Sequence, residues 1–370
     1  MAEMANRIVV VSTVIRLESL ERAPAGWFVE LEGGRRVRLD PADPRSAGFV
    51  KVLEGLSKLR LPVYLEIDPA TSAITRLLIP NVTRIFEVHP IDEGWDVQLE
   101  RSHARHMLRR EQPESADLEK QLRDAARSGE PVIVTEDDAH NIIDVRAFTP
   151  GPEGPLPPFQ KPELPPRVPL PRNWIRDLLR RICCWCCWPC WWSRCLSMTR
   201  AQQVFDAMKG TSCDPLTVPV PCIPFLYPDD GCWGRAHEMC RLMINMGLSP
   251  KKVWIQGSLY VHTKNNPNCH VQWGWHVAPT LCVRGPCLFQ TQSMVIDPSL
   301  FTTPVSKPTW KGVQGDPNAT LTDSDAAIFY LWGSVTDPTY AQTNQVLATY
   351  RLQLQNRAIQ FGPPPYANCP

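Results

Sequence analysis

Asp229-Asp230-Gly231-Cys232-Trp233-Gly234-Arg235-Ala236-His237 is the stretch from which the rest of the chain can be read. The two aspartates and the glycine are turn and N-cap residues. Behind them Ala236, Met239, Cys240, Met243, Ile244 and Met246 recur at helical spacing, and Gly247 suits the end of a helix. The pattern predicts a turn feeding a helix, with Cys232 in its first turn. Unpaired N–H groups and the positive end of the helix dipole favour a thiolate there, the form in which cysteine is a nucleophile. A buried or disulfide-bonded cysteine would fit the same spacing.

Two later segments bear on the choice. Val271-Gln272-Trp273-Gly274-Trp275-His276-Val277-Ala278-Pro279 alternates like a strand. Val271, Trp273, Trp275 and Val277 share one face, and Gln272, Gly274 and His276 the other. Gly274 leaves a gap beside the imidazole where a substrate could lie. Met294-Val295-Ile296-Asp297-Pro298-Ser299-Leu300-Phe301 is an apolar strand ending in a carboxylate, where Pro298 stops the pairing. A cysteine at a helix start, a histidine on a strand and a later acid supply nucleophile, base and orienter in chain order. A packed core histidine and a turn-forming Asp-Pro are the competing readings of His276 and Asp297. Spacing alone does not bring the three together.

With Tyr227-Pro228 before Asp229, and with Trp275-His276-Val277-Ala278-Pro279 and Ile296-Asp297-Pro298-Ser299-Leu300-Phe301 after it, the sequence resembles the bacterial protein-glutaminases. These enzymes deamidate glutamine side chains within proteins. The resemblance covers roughly residues 200–305 and rests on three ordered motifs. It implies an α+β, papain- and transglutaminase-like catalytic domain. It further implies Cys232 as nucleophile, His276 as base and Asp297 as orienter, with no metal and no cofactor. Trp233, Gly274 and Trp275 are the expected substrate-binding wall. The expected reaction is hydrolysis of a side-chain carboxamide through a thioester, acting on glutamine-bearing proteins or peptides. A transglutaminase or a cysteine protease would use the same triad. A membrane-associated binding protein with an inactive enzyme fold is the non-enzymatic alternative. His237, five residues after Cys232, points to another side of the helix and is not assigned the base role.

Residues 1–148 read as two copies of a small α+β unit, about 8–80 and 81–148. Gly26-Trp27-Phe28-Val29-Glu30-Leu31-Glu32 returns as Gly94-Trp95-Asp96-Val97-Gln98-Leu99-Glu100, and Pro62–Asp68 as Pro131–Asp137. Helical stretches fall between, at Gly48–Leu59 and Asp117–Arg127. His103 and His106 lie in the basic run Arg101–Arg110. A solvated helical face is the expectation there, ahead of a metal or phosphate site. Glu136-Asp137-Asp138 reads as hairpin-turn acids rather than a cation site. The unit's partner is not written in its residues. Related enzymes carry an N-terminal region that blocks the cleft, and this module is a candidate for that role.

Residues 149–172 are proline-rich and read as an extended spacer. Residues 173–198 are basic and rich in cysteine and tryptophan. Over 173–195 a membrane-surface anchor is preferred to a metal site or a disulfide cluster. The catalytic domain is set at 199–370. Cys213 with Cys222, and Cys282 with Cys287, are candidate disulfides. The formal net charge is +1, so no nucleic-acid partner is implied. Ile8–Val14 reads as a first strand rather than a secretory signal. Synthesis in the cytoplasm is therefore expected, with membrane association and non-classical export left open.

Overall fold

The computed structural model describes residues 7–20, 26–149, 195–285 and 290–370. The proline-rich spacer and nearly all of the cysteine–tryptophan segment lie outside them. Mixed α+β architecture runs throughout. The N-terminal half opens with β1 (Ile8–Leu20), β2 (Gly26–Leu31), β3 (Arg36–Leu39), α1 (Ser46–Leu59), β4 (Pro62–Ile67) and β5 (Ile74–Leu78). The sheet order is β3-β2-β1-β4-β5, all antiparallel. Phe49, Val52, Leu53 and Leu56 of α1 form its core with Val29, Leu31, Val63 and Leu65.

The chain continues through β6 (Asn81–Thr83), β7 (Ile85–Ile91), β8 (Gly94–Leu99), β9 (His106–Arg109), α2 (Ser115–Ser128), β10 (Val132–Glu136) and β11 (Ile142–Ala147). Here the strands pair as β7-β8-β9 and β11-β10-β6. β6 and β7 follow one another with a break at Arg84, where the earlier unit has the single long β1. Leu118 and Leu122 of α2 close a second core over Val97, Leu108 and Val134.

The C-terminal half is built on a sheet of order β15-β14-β13-β12-β16. Its strands are β12 (Lys251–His262), β13 (His270–Arg284), β14 (Thr291–Val295), β15 (Val305–Ser306) and β16 (Thr320–Asp325). A ribbon of β17 (Ile328–Tyr330) and β18 (Val335–Thr336) lies beside it. Four helices accompany these strands: α3 (Met198–Lys209), α4 (Cys232–Asn245), α5 (Lys307–Gly312) and α6 (Ala341–Phe361). Met239 and Met243 of α4 pack with Val204, Phe205 and Met208 of α3 and with Leu281 of β13.

The C-terminal helix also serves the other half. Leu352 belongs to the core under α1, and Ile359 packs against it. Gly48 and Gly55 make room on α1. A Cβ at those positions would come within 2.6 Å of Ile359 and 2.5 Å of Leu352. Gln353 donates to the Ile79 carbonyl and Asn356 to that of Leu77, so α6 caps the edge of the first sheet with side-chain amides.

Among the described residues there are three disulfides: Cys195–Cys282, Cys213–Cys222 and Cys269–Cys369. The middle one is as the spacing suggests. Cys282 reaches back to Cys195 rather than to Cys287. Strand β13 runs on to Arg284, and the backbone of Leu196 bonds to Cys282 and Arg284, which brings Cys195 alongside. No helix among the described residues is long and apolar enough to cross a membrane.

Candidate active site

Gly231, not an aspartate, is the residue before α4, with φ at +81°. Glycine reaches that region without steric cost, and a Cβ would lie 2.3 Å from the Tyr350 ring. The turn is therefore tight enough to set Cys232 as the first residue of the helix, 1 % exposed. Asp229 and Asp230 are buried rather than capping. Asp229 pairs with Arg357 (Oδ2–Nη1 2.5 Å) and accepts from Asn266. Asp230 accepts from Gly231 N–H (2.9 Å), Tyr350 Oη–H (2.7 Å) and Ser102 Oγ–H (2.7 Å).

Strand β13 carries His276 to the start of α4, and the turn after β14 delivers Asp297. His276 Nε2 lies 2.9 Å from Asp297 Oδ2. Trp310 Nε1–H donates to the same oxygen at 2.8 Å, and the Ser299 backbone N–H donates to Oδ1 at 3.2 Å. Burial alone would raise the Asp297 pKa. The charge and hydrogen bond of His276 and the hydrogen bond of Trp310 outweigh it, so the carboxylate is held below its usual range. The imidazole stacks on Trp273 (centroids 4.5 Å apart) and on Trp310 (5.5 Å). These contacts fix its plane and leave Nδ1 buried without a hydrogen-bond partner. A ring nitrogen of His276 and Sγ of Cys232 are within 4.8 Å of one another.

The three residues predicted to act together are thus adjacent, and Cys232 is a free thiol. Its predicted ionisation does not hold in this covered state. Burial pushes the thiol well above its ordinary value, with Asp230 and Asp297 adding to the rise. The Arg235 guanidinium and a backbone bond at Val277 oppose it and lose. His237 lies apart, 2.8 Å from Lys252 Nζ and packed on Phe329 and Tyr340.

Of the expected wall, Trp233 and Trp275 pack at 5.7 Å in one cluster with Cys232. Gly274 has open space on its Cβ side. A segment of the N-terminal half lies over this wall. Gly274 N–H donates to the His103 carbonyl (2.9 Å), and Arg105 N–H to that of Gln272 (3.0 Å). Ala104 forms an antiparallel bridge to Trp273, and Trp275 Nε1–H donates to the Ser102 carbonyl (3.2 Å). Residues 102–105 are thereby a short added strand on β13, with the His103 ring among Trp233, Trp273, Trp275 and His276.

His103 and His106 are therefore fully buried, not on a solvated helical face. The basic run is an extended segment entering β9; His103 points to the C-terminal half, and His106 is buried against Ser102, Glu136 and His140 of its own half. Of the expected hairpin acids, Asp137 does hold its turn, accepting from Ala139 and Asn141 N–H. Glu136 instead meets His106 (2.5 Å) and His140 (3.1 Å), and Asp138 meets Arg357 (3.1 Å). Trp310, Arg357 and the insertion of His103 carry no motif of their own in the sequence, and Asp230 reads there as a turn and cap residue rather than a buried acceptor. The one available signal was the pair of histidines beside Ser102 in an otherwise basic run.

Residues 201–314 match a family model described as glutaminase, Gln_deamidase_2. Among solved structures, a mutant of pro- protein-glutaminase is similar at 23% identity, covering 74% of this chain and 94% of that one, with a TM-score of 0.50. A protein-glutaminase crystal structure is 29% identical over 43% of this chain and 90% of that chain, with a TM-score of 0.39. The NMR structure of protein-glutaminase from Chryseobacterium proteolyticum is 29% identical over 40% and 84%, with a TM-score of 0.37. No curated protein matches. The resemblance drawn from the three motifs is borne out: residues 201–314 match the glutaminase family, and the fold is similar to that of a pro- protein-glutaminase.

Proposed function

We propose that this protein deamidates glutamine side chains in protein substrates, with Cys232, His276 and Asp297 as its catalytic triad. The observation that carries the proposal is the approach of Cys232 Sγ to a His276 nitrogen within 4.8 Å, and the bond of His276 to Asp297, inside the stretch that matches the glutaminase family. His276 Nδ1 takes the thiol proton as Sγ attacks the carboxamide carbon. Backbone N–H groups at the start of α4 face the developing oxyanion. The imidazolium returns its proton to the departing ammonia and leaves a thioester. Water, deprotonated by the same nitrogen, then releases glutamate. Asp297 holds the Nε2–H tautomer and the imidazolium that forms twice per turnover.

The N-terminal half acts as the cover of this site. Ser102–Arg105 lies where an extended substrate segment would pair with β13, and His103 fills the space next to the thiol. The two units of that half share their element order, which supports reading them as a duplication. Protein substrates would then enter only after the cover leaves. The three disulfides favour an oxidising compartment as the working environment.

Ammonia release from a soluble glutamine-bearing protein tests the reading. It is measured before and after cleavage of the chain within the proline-rich spacer and removal of the N-terminal half. Release that rises on cleavage and is abolished by Cys232→Ala is expected. Release that persists in Cys232→Ala would overturn the assignment.

A further inference from the structure

The covered cleft holds one more chemical possibility, carried by its geometry alone and independent of which substrate the open enzyme takes. His103, Cys232 and His276 are all buried, and one donor atom of each lies within 4.8 Å of those of the other two. The imidazoles are set in the same way. His276 turns Nε2 to Asp297 at 2.9 Å and keeps Nδ1 unpartnered. His103 turns Nδ1 to Asp230 Oδ1 at 2.8 Å, an oblique approach short of a well-directed hydrogen bond, and keeps Nε2 unpartnered. Each ring thus has a carboxylate at one nitrogen and a bare, buried nitrogen at the other. That is how carboxylates orient metal-ligating histidines. Unpaired buried nitrogens are costly to leave so, and here two of them sit around a thiol.

We propose that these three residues form a binding site for zinc or a similar soft divalent ion, which locks the N-terminal half onto the nucleophile. Two imidazoles and a thiolate are a donor set typical of zinc, with a fourth position for water. A tetrahedral ion would draw the donors to about 3.3–3.6 Å apart, so the site closes by small side-chain rotations. Binding replaces the S–H bond of Cys232 by a sulfur–metal bond, and the proton leaves to solvent. The ion ties up the nucleophile and the base together. It takes its third ligand from the cover, so cover and ion hold each other in place.

The neighbouring cluster of His106, Glu136 and His140 lacks this character. His106 is occupied at both nitrogens, by Glu136 (2.5 Å) and by Ser102 Oγ (2.9 Å). Both nitrogens of His140 face carboxylates, Glu136 at 3.1 Å and Asp229 at 3.4 Å.

Cobalt(II) added to the intact, metal-free chain is the probe, because a tetrahedral thiolate site gives it a sulfur-to-metal charge-transfer band and strong visible absorption. One ion per chain with both signatures is expected. Cys232→Ser, nearly isosteric, should abolish the charge-transfer band. His103→Ala should weaken binding at least about 10–100-fold, the loss that follows removal of an outer-shell partner alone; His103→Gln serves if that variant does not fold. Zinc should displace cobalt and shield Cys232 from alkylation in the wild type but not in the His103 variants. Absence of the band in the wild type would overturn the proposal. So would a band retained by Cys232→Ser, which would place the metal in the cysteine-rich segment, or one unchanged by loss of His103.

Discussion

Asp297 Oδ2 accepts from His276 and Trp310 together, and that shared oxygen orients the imidazole. Trp310→Phe keeps an aromatic ring beside His276 and removes the N–H together with part of the indole. A hydrogen bond to a charged group is worth about 1.5–3 kcal/mol. Turnover of the uncovered enzyme should therefore fall roughly 10–100-fold, with KM nearly unchanged, in steady-state ammonia assays. A fall in KM-dependent rate alone would place Trp310 in substrate binding instead. Cys232, His276 and Asp297 were legible in the sequence because each sits in a local motif. Trp310 was not, because it acts across thirteen positions and reads as an ordinary core tryptophan. His103 was misread for a related reason: charge along its own segment suggested solvent, and only the other half of the chain buries it.

The turn before α4 is the element on which the thiol depends. At Gly231 an alanine would meet both an unfavourable positive φ and the Tyr350 ring. Gly231→Ala should cost about 3 kcal/mol, read as a lowered denaturant midpoint in the intact chain. The helix itself, both N-terminal helices and β13 were visible as periodic patterns. The pairing of β13 with β12 has an irregularity, however, and Val271 and Trp273 lie in one core while Trp275 and Val277 lie in another. Asp297 falls in the turn after β14 rather than on a strand. The neighbours of these elements were not visible. Nothing in the sequence of β9 says that the residues before it pair with β13, since such pairing is decided by tertiary contact. The cover strand can be loosened without touching the triad. Arg105→Pro deletes the N–H that bonds to the Gln272 carbonyl. Ammonia release by the uncleaved chain should rise several-fold, while the cleaved enzyme carrying the wild-type C-terminal half is the reference. No rise would argue that residues 102–105 do not close the cleft.

At the scale of the molecule, the two halves meet through buried charge. His140 of the N-terminal half faces Glu136, Asp229 and His106, and Arg357 and Asp138 complete the cluster. Burial opposes a charged imidazole, but Glu136 and Asp229 outweigh it and raise the His140 pKa well above 6.5. Glu136 lies in the same half, so only the Asp229 share of the rise comes with docking; that share stabilises the docked state in full below the undocked value and is lost as pH climbs through the docked value. The uncleaved chain should thus stay closed near neutrality and gain activity relative to the cleaved enzyme under alkaline conditions. His140→Gln should flatten that ratio against pH; an unchanged profile would remove His140 from the account. The sequence reads Gln342–Gln355 as a helix, inside the observed α6; what it could not disclose is that α6 is shared between both cores. Its apolar residues serve two partners at once, which blurs the single stripe of an amphipathic helix.

The central claim, that Cys232 converts protein-bound glutamine to glutamate, is tested most directly by mass spectrometry of a glutamine-bearing protein. The substrate is incubated with the cleaved enzyme and a primary amine. The account predicts glutamine-to-glutamate conversion with ammonia released in equal amount, no amine incorporation, an uncut backbone, and no reaction with Cys232→Ala. Amine incorporated at glutamine, backbone cleavage, or conversion by the Cys232→Ala variant would contradict it.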